Sequence, residues 1–112
     1  MAQAEYEAAH ARLVEVCGPE GIDKVLTEHQ LDALLSPTAE SSFPASVAGY
    51  PIVSVPAGTV RGLPFGLAFI GTAFSEVKLL QLAYGYEQAT RAIVRPQYRH
   101  SLDVTPTAKA KI

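Results

Sequence analysis

Among its 112 residues the chain has one cysteine, one methionine and no tryptophan. A lone cysteine, Cys17, excludes an internal disulfide and suits a reducing compartment, so a cytoplasmic location is expected. Charge is scarce as well: 18% of residues, against about 25% in an average soluble domain. With 9 basic and 11 acidic side chains the net charge is −2, and no cationic patch gathers. Nucleic acid and anionic membrane surfaces are therefore poor partners. No run approaches the roughly 20 apolar residues that cross a bilayer. The opening residues lack the cationic-then-apolar order of a signal peptide and carry Glu5 and Glu7 instead. Three scattered histidines and Cys17 make no zinc set, so no metal is expected. Gly58, Gly62, Gly66 and Gly71 lack the Gly-Lys-Ser/Thr ending of a phosphate loop, and no cofactor is implied.

What is abundant is apolar surface, at 48% of residues. A chain of this length supports one small α/β unit over residues 1–100 with a limited core. The surplus fits a piece of a larger core, or a subunit that hides apolar surface against a partner. The stretch Ala48–Gly71 organises the rest. It holds five of the eight glycines. Two apolar runs, Ile52–Val55 and Phe65–Ile70, are short and bounded by turn formers, so they read as buried strands. The connector Pro56–Pro64 has two glycines able to take positive φ, which suits a chain reversal and an antiparallel pair. The runs scarcely alternate, so both sheet faces should be covered.

In chain order, Ala2–Val16 should be a helix whose apolar stripe is Tyr6, Ala9, Leu13 and Val16, stopped by Gly18-Pro19. A second helix should run from Gly21 to Gln30, with His29 on its apolar side. Leu31–Ser36 reads as a strand ended by Pro37, Thr38–Phe43 as a loop, and Pro44–Gly49 as a helical turn. Ser75 is a good N-cap for the last helix, with Phe74 and Leu79 placed for a hydrophobic staple. Glu87 and Arg91 are spaced for an i, i+4 pair. Leu79, Leu82, Ala83, Tyr86 and Ile93 form one apolar face; Val77, Leu80 and Tyr84 form part of a second. Such a helix is normally packed on both sides. Pro96 ends it at the latest. Residues Ser101–Ile112 are polar and read as a disordered tail. The expected fold class is α/β, a short mixed sheet of about three strands with helices packed on it.

The same residues carry a family resemblance. Gly-Tyr-Pro (Gly49–Pro51), an apolar strand, Val-Pro-Ala-Gly (Val55–Gly58), Gly-Leu-Pro-Phe-Gly (Gly62–Gly66), a second strand, Gly-Thr-Ala-Phe-Ser-Glu (Gly71–Glu76) and the run to Thr90 follow in order. This series resembles the C-terminal end of amidase-signature hydrolases, and among them is most similar to peptide-amidase-like members. The likeness runs from about Ile22 to Pro96. It implies a partial amidase-signature fold whose parent reaction is carboxamide hydrolysis through an acyl-serine. The family's catalytic lysine and two serines lie in a Gly- and Ser-rich segment that this sequence lacks. No catalytic residue is therefore expected, and the chain alone should be inactive.

The resemblance also places Leu31–Thr38 on a strand leading toward the active-site side of the sheet. The segment before Gly-Tyr-Pro borders the substrate pocket in full-length amidases, which maps here onto Glu40, Ser41, Phe43 and Ser46. In the glutamine-using branch an acidic residue near this point grips the substrate's amino group; Glu40 stands one residue out of register with it. The Thr38–Phe43 connection is shorter than in peptide-amidase-like members.

Other chemistry is weaker. Ser41-Ser42 has no flanking glycines to make an oxyanion hole, and its nearest lysine in sequence is Lys24. Loop hydrogen bonding is its ordinary reading. His10 and Cys17 are seven residues apart, about 10 Å of helix rise, too far for a dyad. Tyr84, Tyr86, Phe69 and Phe74 lack interleaved cations, which suits a core better than a base-stacking platform. Expected partners are an N-terminal amidase portion or a second copy of the chain. The rival readings are a self-associating non-enzyme and one chain of a split amidase.

Overall fold

The computed structural model describes residues 2–37 and 42–98. The expected tail Ser101–Ile112 lies outside that range, as does most of the expected Thr38–Phe43 loop. The elements are α1 (Gln3–Cys17), a π-helical segment (Gly18–Asp23), α2 (Lys24–Glu28), β1 (Leu34–Pro37), α3 (Ser42–Ala48), β2 (Ile52–Val60), β3 (Leu63–Ile70) and α4 (Glu76–Thr90).

Alanine and long straight side chains favour α1, and Glu5 Oε2 accepts from the backbone N–H of Ala2 at 3.0 Å. Gly18-Pro19 was expected to end the helical path. Instead the coil widens into the π segment and continues as α2. Pro19 has no N–H to donate, so a wider turn sacrifices no bond at that position. Gly21 makes room: a Cβ there would lie 2.5 Å from the carbonyl oxygen of Val16. The expected stripe on α1 is not covered, for Tyr6, Leu13 and Val16 are all exposed.

Helix α2 stops in a paired cap. The N–H of Gln30, at φ 52°, donates to Thr27 O, and the N–H of Leu31 donates to Leu26 O at 2.8 Å. This is the Schellman arrangement, with a non-glycine residue in the left-handed position. It consumes Leu31, so the strand expected from there begins three residues later. His29 lies exposed at the helix end rather than against apolar residues.

The β2–β3 hairpin closes through Arg61 (φ 53°) and Gly62 (φ 78°), two residues of positive φ, as a type I′ turn requires. The strands are therefore longer than their apolar cores. Gly58, at φ 111°, sits where the register shifts between Pro56 and Gly58. It marks a bulge, while Gly62 makes the turn.

The strand order is β1-β3-β2, and both pairings are antiparallel. The α/β class and strand count agree with expectation; the sheet is not mixed. Strands β1 and β2 point the same way, but β3 lies between them, so no parallel pair forms.

Both faces are covered at the Ala68–Ile70 end of β3, whereas β2 has no buried residue and the hairpin end stays open. On one face Ile22, Leu26 and Ala45 pack on Ile70, with Leu34, Tyr50 and Ile52 around them. On the other, Leu79 and Ala83 of α4 pack on Phe69, flanked by Val53, Val55 and Leu67. Phe69 meets Tyr86 edge to face, with ring centroids 5.9 Å apart.

Helix α4 differs from expectation at its ends. Phe74 is 95% exposed, so there is no staple on Leu79. Ser75 Oγ donates to Thr72 O at 2.7 Å and makes no side-chain cap bond to the helix. The helix ends at Thr90, and Arg91, at φ 44°, gives its backbone N–H to Glu87 O. No Glu87–Arg91 ion pair forms; Arg91 lies just past the helix end in the left-handed conformation. Ile93 falls beyond the end and is exposed. Val77, Leu80 and Tyr84 lie uncovered on the outer face.

Candidate functional site

The residues that sequence reading assigned to a pocket wall divide in two. Glu40 and Ser41 lie outside the described residues. Phe43 and Ser46 are one turn apart on α3, and both are exposed, Phe43 by 65%. Ala45, fully buried against Ile22, Leu26 and Ile70, turns the opposite side of α3 into the core.

The end of α3 is held by a backbone cap and a side-chain bond. Gly49, at φ 74°, donates to Ser46 O at 3.3 Å, and Tyr50 N–H donates to Ala45 O at 2.8 Å. This second Schellman cap has glycine where the left-handed conformation is cheapest. Its closing residue, Tyr50, also reaches out of the motif. The phenol donates to Asp23 Oδ2 at 2.5 Å, and Thr72 Oγ1 donates to Asp23 Oδ1 at 2.6 Å. One carboxylate thus joins the π segment, the end of α3 and the loop after β3. Its bond to Asp23 above all, then burial and the Asp23 charge, pushes the Tyr50 phenol up to about 12.

Beside this knot lies a cleft of about 690 Å³ between α2 and the start of α4. Its wall includes Asp23, Asp32, Thr72, Ser75 and Lys78. A serine and a lysine in one cleft invite an acyl-transfer reading, which the geometry rejects. Ser75 gives its proton to a backbone carbonyl, and Lys78 Nζ sits 2.9 Å from Asp32 Oδ1. A nucleophile must instead hand its proton to a base, and a lysine base must be neutral. The chain's other described ion-paired lysine, Lys24, faces Glu28 at 3.8 Å. Buried Ser36 donates to Pro37 O at 3.3 Å. Among the described residues no group of three or more His, Cys, Asp or Glu side chains could hold a metal ion. No helix among them is long and apolar enough to cross a membrane.

Sequence reading missed the Asp23–Tyr50–Thr72 knot. Asp23 falls inside the expected Gly21–Gln30 helix with no role of its own, and Tyr50 stands only as the middle of Gly-Tyr-Pro. The available signal was the tyrosine directly after a helix-ending glycine, the position that closes a Schellman cap.

No protein-family model matches the sequence. The chain is similar to the probable amidase At4g34880 of Arabidopsis thaliana, 39% identical over 79 residues, which is 70% of this chain and 15% of that protein. Among solved structures it resembles the native peptide amidase of Stenotrophomonas maltophilia, with a TM-score of 0.80 and 47% identity over 85% of this chain and 22% of that one. An amidase family protein from Bacillus anthracis str. Ames gives a TM-score of 0.81 and 33% identity, over 88% of this chain and 19% of that one. The chain spans less than a quarter of each of these relatives. Sequence and fold agree over most of its length, and the chain belongs to the amidase-signature hydrolases, corresponding to the C-terminal part of its relatives.

Proposed function

We propose that this chain is the scaffold and one pocket wall of an amidase, and that by itself it hydrolyses nothing. The complete enzyme would cleave a carboxamide through an acyl-serine. In it, β1 leads toward the reacting centre, and α3 lines the substrate with Phe43 and Ser46, joined by Glu40 and Ser41.

The observation that carries this reading is the commitment of Ser75 and Lys78. They share a cleft, yet each is bonded elsewhere. Support comes from the uncovered apolar side chains on two separate helices, Tyr6 and Leu13 on α1 and Val77, Leu80 and Tyr84 on α4. Such surface suits contact with further amidase structure.

The test is ammonia release by the purified chain from a panel of amides that includes a C-terminally amidated peptide. No release is expected alone, and release is expected after adding an N-terminal amidase portion that brings the serines and lysine. Release by the chain alone, abolished by Ser41→Ala or Ser42→Ala, would overturn the proposal. The same uncovered surface supports a second reading, self-association without catalysis. Light scattering distinguishes it: a discrete dimer that refuses the N-terminal portion favours that reading.

A further inference from the structure

We infer that the carboxylate of Asp23 sets the position of α3, and with it of Phe43 and Ser46, through the single side chain of Tyr50. The inference deepens the pocket-wall reading and rests on it for its bearing on substrate.

Tyr50 belongs to two structures at once. Its backbone N–H closes the cap of α3 on Ala45 O, and its hydroxyl is bound by Asp23. Movement of the phenol is therefore movement of the helix end. Gly18 permits the approach: a Cβ there would stand 3.0 Å from Tyr50 Oη and 3.2 Å from Ala48 Cβ. Asp23 is itself restrained, because Thr72 occupies its second oxygen. A carboxylate suits this place. It only accepts hydrogen bonds, and here two hydroxyl donors converge on its two oxygens. Asp23 closes the π segment, a kind of helical irregularity that recurs at functional sites. The path runs from the loop after β3, through Thr72 and Asp23, to Tyr50 and the cap. Phe43 and Ser46 lie within two turns of that cap. Asp23 is thus a positioning residue rather than a catalytic one.

The test follows amide hydrogen exchange residue by residue on the whole chain, for Tyr50→Phe, Asp23→Ala and Thr72→Ser. In the first two, the amides of Ser46, Val47, Ala48 and Tyr50 should exchange about tenfold faster, the change that losing one bond to a charged acceptor gives. Leu79 and Ala83 in α4 should keep their rates. Thr72→Ser keeps the hydroxyl and should leave α3 unchanged. Equal acceleration in α3 and α4 would mean a general loss of stability and would overturn the inference, as would no change in α3. If Asp23→Ala does not fold, Tyr50→Phe, which removes one oxygen, decides the matter. In the reconstituted amidase, Tyr50→Phe should raise KM several-fold at unchanged kcat; a fall in kcat at unchanged KM would contradict positioning. If the unaltered chain also fails to reconstitute, the pocket-wall reading falls, while the exchange result still decides the link between Asp23 and α3.

Discussion

Gly71 lies so close to Ser75 that a β-carbon on it would overlap the serine hydroxyl and stand 3.1 Å from a methyl of Leu79. The end of β3 and the start of α4 are pressed together at this one residue. Leu79 is fully buried there, so the neighbours have little room to yield. Gly71→Ala should cost about 1–3 kcal/mol, the usual penalty of overpacking. Urea denaturation would show it as a lower midpoint; an unchanged midpoint would mean that α4 can slide.

Leu79→Ala and Leu80→Ala make a matched pair on adjacent positions. Leu79 has no exposed surface, whereas Leu80 is 58% exposed. The first should lose about 2–5 kcal/mol. The second should stay within about 0.5 kcal/mol of the parent. If Leu80→Ala proves equally costly, the outer face of α4 is covered in solution.

Gln30 holds a left-handed conformation at φ 52° that glycine adopts without strain. Gln30→Gly should therefore stabilise the chain, by about 0.5–1 kcal/mol, because relief of strain exceeds the added freedom of the unfolded chain. Gly49→Ala, at φ 74°, should do the reverse. Thermal melts of the two variants should shift in opposite directions.

The Tyr50 phenol offers a test by pH. Its proton is held more tightly in the folded chain than in the unfolded one, with the phenol pushed up from 10.0 to about 12. The stabilisation is fully present below pH 10 and is lost as pH rises through about 12. The stability gap between the parent and Tyr50→Phe should be constant from neutral pH to about 9 and narrow above 10. A gap that ignores pH would show that the phenol is not the group involved. Absorbance titration offers a second readout, with one tyrosine ionising late in the parent and absent from the variant.

The parts of the fold legible in the sequence were those governed by short-range rules. The two apolar runs, their glycine-bearing connector and the α4 pattern rest on neighbours within a few residues, and the structure has them. The errors arose where an ending depended on contacts made elsewhere. Pro19 looked like a stop, but the π segment absorbs it. Leu31 looked like the first strand residue, but the α2 cap takes it. The sheet's directions followed from β3 entering between β1 and β2, which no local pattern specifies. For the candidate site, resemblance pointed to Phe43 and Ser46, which the structure places exposed on α3. The grip of Asp23 on Tyr50 had no local signal, because those partners are 27 residues apart.

The central place of β3 has a consequence for how the chain reaches this state. Among the described residues β1 and β2 do not pair with each other, and each has β3 as its sheet partner. A two-residue turn lets β2 and β3 zip together on the hairpin timescale, about 1–10 μs. Strand β1 precedes β3 in the chain, so the pairing seen here forms only once β3 has been made. The last stretch of β3 to be made, Leu67–Ile70, is the one that pairs with β1, so closing the hairpin turn does not by itself complete the sheet.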